Sequence, residues 1–235
     1  MAQFNISPGS EFNNSYDDQL SRDSLAESIL ATIKPFRLLD HPFYRRWQNG
    51  ELAMEELSYY ASQYRIFERY LPSFLLRLTA CLPDGEARDL VLANLADEEG
   101  DPTAHIDLFE RFANAVGAPS LPTCDSMADL IVTHEKLMGQ DPTAALAGFL
   151  AYEIQGAEIA KSKAEGLKSS YGISNFGASF WTHHAALEED HAAWTLRAVS
   201  LLESDESVIL SAVEDVAKAW WGFLDEQNAY LTKAS

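Results

Sequence analysis

Apolar side chains recur at three- and four-residue steps along most of this chain, which is the period of one helix face. The clearest stretch is 54–78, where Leu57, Tyr60, Tyr64, Phe67, Leu71, Phe74 and Leu78 fall on one stripe and Pro72 predicts a kink. Shorter stretches repeat the pattern at 25–33 behind a cap at Asp23 or Ser24, at 86–98, at 105–116 and at 126–137. Phe43, Tyr44 and Trp47 form an aromatic face behind Pro42, which suits a first helical turn. Asp141-Pro142 pairs a capping residue with proline at the first position, so an Ala-rich helix should run from there to about Lys168. Two more helices are predicted at 179–202 and 207–228, the last with Val213, Val216, Trp220, Phe223 and Leu224 inward. Breaks rich in Gly, Pro and Asp fall between them, at 38–42, 49–50, 82–85, 100–102, 117–119 and 171–175. No period-two strand, internal repeat or linker is evident. The pattern predicts an all-α fold, a single domain over 23–235 with seven or eight helices whose short connections favour an antiparallel bundle. Residues 1–22 are polar and aperiodic and are expected to be a disordered tail.

Composition narrows the function more than the fold. With 47% hydrophobic and 11% aromatic residues in 235, the chain can bury a sizeable core. Its net charge of −19 argues against nucleic acid and against an anionic membrane surface as partners. Cys81 and Cys124 make no metal or redox motif and read as free thiols of a reducing cytoplasm. No apolar run reaches the ~18–20 residues that span a bilayer, and no signal peptide is visible.

Charge placement carries the chemistry. His184, Glu188 and His191 stand at i, i+4 and i+7, one stripe of a helix, and Glu188-x-x-His191 is the pair that di-iron bundles use. Imidazole beside carboxylate suits iron, manganese or zinc, although a solvated helix end has the same composition. Glu98 and His105 are also seven apart, ~10.5 Å along a straight helix, too far for one ion. Gly100 and Pro102 should unwind that segment, and a dinuclear site can take one ligand on each ion; Glu99 and Asp101 remain open as alternatives to Glu98. Glu153 lies among Phe149, Leu150, Tyr152 and Ile154, where an ionised carboxylate is costly unless a metal, tyrosine or arginine pairs it. Three carboxylates and three histidines from three helical segments point together to a dinuclear metal site.

In order, Glu-x6-His, a mid-chain Glu and His-x3-Glu-x2-His resemble the haem-oxygenase-like di-metal oxidases, a seven-helix superfamily that shares its fold with TenA- and PqqC-like proteins. Within it the chain looks most like the family of the chlamydial protein associating with death domains, over roughly residues 38–228. The similarity includes His41-Pro42-Phe43-Tyr44-Arg45-Arg46-Trp47, Tyr152-Glu153 and Gly222-Phe223-Leu224-Asp225. That resemblance implies a homodimer that makes para-aminobenzoate for folate synthesis from one of its own tyrosines, with O2, an external reductant and two metal ions. Fe(II) is the expected metal, with Mn possible. The matching tyrosine is Tyr44, and the matching amino-donor lysine is Lys163. Lys163 lies ten residues beyond Glu153, so the helix would have to bend, at Gly156 for instance, to bring it to the metals. Glu188 departs from the Asp expected there. Tyr60, Tyr64 and Tyr152 are further oxidisable residues, candidates for radical relays with Tyr44. Two rival readings fit the same bundle: a di-iron oxidase or lyase acting on a free amino acid or fatty acid, and a metal-free bundle that binds a small molecule or partner protein.

Overall fold

The computed structural model describes residues 10–100 and 103–233; the side chains of 10–21, Glu188, Thr232 and Lys233 lie outside the description. Ten α-helices and two 3₁₀ turns account for nearly all of it, with no strand among the described residues. Helix α1 (Ser10–Ile33) leads through turns at Lys34–Phe36 and Leu38–Asp40 into α2 (Pro42–Gln48) and α3 (Met54–Cys81). Then follow α4 (Glu86–Glu99), α5 (His105–Ala115), α6 (Asp125–Gln140), α7 (Pro142–Ser169), α8 (Ser179–Leu201), α9 (Glu206–Asn228) and α10 (Tyr230–Lys233). Setting aside the short α2 and α10, eight helices form the bundle, within the seven or eight expected.

The helix starts follow from local chemistry. Asp141 Oδ1 accepts from Thr143 N at 2.9 Å, with Pro142 in the first turn of α7. At α3 the buried Glu56 carboxylate reaches back to accept from Ala53 N at 2.8 Å, and it also holds Arg46 at 2.8 Å on both oxygens. The first helix differs from expectation. It begins at Ser10, not at Asp23 or Ser24, so residues 10–22 are described as helix where an aperiodic tail was predicted; residues 1–9 lie outside the described residues.

Helix α7 is the axis of the bundle and packs against α8, α9 and α6. Its run Thr143–Ala151 is buried, and the small side chains let neighbouring helices come close. A Cβ at Gly148 would stand 3.0 Å from Val216 of α9 and 3.1 Å from Leu137 of α6. The interior along α3 is unusually aromatic: Tyr44, Trp47, Tyr60, Tyr64, Phe109 and Trp181 pack in one buried cluster. Both cysteines are free thiols, and no described helix is long and apolar enough to cross a membrane.

Candidate metal centre

The break between α4 and α5 decides the first pair of candidates. Gly100 sits at φ +52°, and a Cβ there would come 2.3 Å from the Thr103 carbonyl oxygen, so the sharp turn requires glycine. The break after α4 brings His105 Nδ1 to 2.9 Å from Glu98 Oε2, where a straight helix would hold them apart. Both residues are buried. The two atoms lack hydrogen-bond alignment, and neither His105 nitrogen has a hydrogen-bond partner. Of the alternatives to Glu98, Glu99 is exposed and Asp101 lies outside the described residues.

Helix α8 supplies the other wall. Its period buries His184 and His191 and leaves His183 exposed. The His184 ring lies 4.5 Å from that of His105. His184 Nδ1 is 3.0 Å from the Phe180 carbonyl oxygen; a carbonyl only accepts, so Nδ1 carries the proton and the Nε2 lone pair is free. Burial, reinforced by His105 and His191, holds its pKa well below the ordinary 6.5, so the ring is neutral as a ligand must be. His191 Nε2 meets Asp97 Oδ2 of α4 at 3.3 Å, a contact of the kind by which an outer carboxylate orients an imidazole. The α8 backbone keeps Glu188 on the same stripe; its side chain lies outside the described residues.

Glu153 completes the constellation from α7. Asn94 Nδ2 donates to its Oε1 at 3.0 Å, while Oε2 has no partner. Burial raises its pKa, and His191, Thr195 and Asn94 draw it back. Glu98, Glu153, His184 and His191 line one interior cavity, and Glu98, His105 and His184 each offer a ligand atom within 4.8 Å of one another. Buried imidazole and carboxylate atoms that face each other unbonded are what a cation would satisfy, so these residues fit a metal.

The tyrosines form a second cluster beside this cavity. His41 is the hinge of the first: its Nδ1 accepts from Phe43 N at 3.0 Å, capping α2, and its Nε2 meets Asp225 Oδ1 of α9 at 3.1 Å. That locks α2 on α9 and sets Tyr44 inward, its hydroxyl 3.1 Å from that of Tyr60. Lys163 is 1% exposed, and its Nζ donates to Tyr60 at 2.7 Å. The same amine lies over the rings of Trp181 at 3.8 Å, Tyr44 at 4.7 Å and Tyr64 at 5.0 Å. At Gly156, the place considered for a bend or bulge, α7 stays α-helical, as it does through 169. Lys163 therefore joins the tyrosines, and Tyr64 joins the tyrosines to the cavity, which it lines together with Tyr152. The Tyr64 hydroxyl donates to Tyr152 at 2.9 Å.

Three interior polar residues escaped the sequence reasoning. Glu68 lies on the apolar stripe of α3 four residues after Tyr64, a lone carboxylate whose position was itself a signal. His134 and Asn94 stand at no motif spacing and could only be found in three dimensions.

Fold and site together define a class: an all-helical bundle with a candidate carboxylate–imidazole metal centre in its interior. Residues 58–223 match the model of the iron-containing redox enzymes, and the chain belongs to that family. It is 33% identical to a 4-aminobenzoate synthase of Chlamydia muridarum over 207 residues, covering 85% of this chain and 88% of that one. Among solved structures it is similar to a TenA homolog from Pseudomonas syringae, with TM-score 0.75, 14% identity and 87% and 92% of the two chains covered. A CADD-like protein of unknown function from Nostoc punctiforme gives TM-score 0.74 at 15% identity, covering 88% and 97%. The last two likenesses are of fold.

Proposed function

We propose that this protein makes 4-aminobenzoate, using the ring of its own Tyr44 and the amine of Lys163, with O2 and an external reductant, at a dinuclear iron or iron–manganese centre held by Glu98, His105, Glu153, His184, Glu188 and His191. The observation that carries the reading is the Lys163 amine, buried 4.7 Å from the centre of the Tyr44 ring and bonded to Tyr60, beside a cavity of carboxylates and imidazoles. A lysine has little reason to be sealed among aromatic rings unless its amine is used there. Relatives named 4-aminobenzoate synthase support the same product.

Iron bound in the cavity would supply O2 activation and the oxidising power that a tyrosine ring requires. The chain's own residues do the rest. The His41–Asp225 contact and the Tyr60 hydroxyl fix the Tyr44 ring. Trp47 and Trp181 wall out water. Tyr60 orients the Lys163 amine, and Tyr64 and Tyr152 lie between the amine cluster and the cavity as routes for electron transfer.

The test is a single aerobic turnover of the Fe(II)-loaded protein with reductant. Intact-mass spectrometry should show loss of mass at residue 44, and 4-aminobenzoate should appear in no more than stoichiometric amount. Tyr44→Phe should yield none; product from that variant overturns the reading.

A further inference from the structure

We infer that Glu68 of α3 is a further metal ligand, a carboxylate added to the six residues above. The inference rests on the metal-centre reading and extends it.

Glu68 is 4% exposed and lines the cavity with Glu98, Glu153, His184 and His191. Its Oε2 is buried and has no hydrogen-bond partner. No ion pair within 4.0 Å holds the side chain among the described residues. Burial and the neighbouring Glu98 carboxylate disfavour its charged form; Lys163 and the Tyr64 hydroxyl favour it, but that amine is bonded to Tyr60 and that hydroxyl donates to Tyr152. A carboxylate in such a place is costly unless a cation meets it, and the cavity it faces is the one whose other unpartnered atoms, Glu153 Oε2 and the His105 ring nitrogens, already suit a cation.

Backbone geometry agrees. Tyr60, Tyr64 and Glu68 stand at i, i+4 and i+8, on one stripe of α3. Pro72 follows four residues later and has no N–H for the Glu68 carbonyl, which loosens the helix at this turn. As a ligand, Glu68 would tie the metal centre directly to the helix that carries Tyr60 and Tyr64. Seven protein ligands on two six-coordinate ions still leave positions open for O2.

Anaerobic loading with Mn(II), which needs no turnover, tests this on the full chain. Metal per chain after gel filtration, affinity by calorimetry, and melting temperature with and without metal are the readouts. For Glu68→Gln the expectation is loss of one of two ions or about tenfold or more weaker binding, and a smaller metal-induced rise in melting temperature. The metal-free variant should melt at the same temperature as the parent or higher, because the amide keeps the shape and removes the charge. Full stoichiometry with parental affinity in Glu68→Gln overturns the inference, as does a fall in metal-free melting temperature with metal binding intact, which marks a protonated core carboxyl. Glu98→Gln serves as control: binding lost there and kept in Glu68→Gln sinks this inference alone. A parent protein that binds no metal sinks the metal-centre reading with it.

Discussion

Asn94 and His134 show how much a single interior polar residue can decide. Asn94 fixes one oxygen of Glu153 and so leaves the other facing the cavity. Asn94→Ala should weaken metal binding about 10–100-fold, the usual cost of losing an outer partner, with little change in fold as judged by circular dichroism; calorimetric titration checks it. His134 is sealed between Phe67, Phe74 and Phe149. Its ring nitrogens have no partner, and burial lowers its pKa from 6.5 to about 4. The folded protein therefore keeps this ring neutral, while the unfolded chain takes up a proton below 6.5. Stability should be unaffected by His134 above that pH and fall as the pH drops from 6.5 to 4, by up to about 3 kcal/mol. In His134→Leu the decline over this window should be shallower by that amount, measured by urea unfolding of the metal-free protein at several pH values.

At the scale of elements, the α4–α5 corner and the α2–α9 clasp position the two clusters. The corner depends on a left-handed Gly100. Gly100→Ala puts a Cβ against the Thr103 carbonyl and should cost about 1–3 kcal/mol in urea unfolding, and it should separate Glu98 from His105 enough to abolish metal retention on gel filtration. The clasp explains why two sequence stretches far apart go together: His41 at the head of α2 and Asp225 near the end of α9 are bonded partners. The long helices were legible from their apolar stripes and caps. The α1 start was not, because 10–22 lacks an apolar period.

For the whole molecule, the fold gathers carboxylates and imidazoles in a low-dielectric interior in a chain of net charge −19. A divalent ion that binds only the folded state should therefore stabilise it strongly, by about 2.7 kcal/mol at a hundredfold excess over its dissociation constant. Melting temperature should rise on anaerobic Fe(II) or Mn(II) addition and return to the metal-free value with excess chelator; a melting temperature indifferent to both would speak for a metal-free bundle.

The sequence by itself determined the all-α class, most helix positions, and the selection of His105, Glu153, His184 and His191 as interior polar residues, with Glu98 one of three carboxylates left open beside them. Those are consequences of local periodicity and of spacing within one helix, which are properties of a chain read a few residues at a time. Tertiary structure decided which atoms meet. It folded Glu98 onto His105 across Gly100, put Lys163 with Tyr44 and Tyr60 on a continuous α7, and placed Glu68 and Asn94 at the cavity. Contacts such as Lys163 to Tyr60 join residues more than a hundred positions apart, and no local period encodes them.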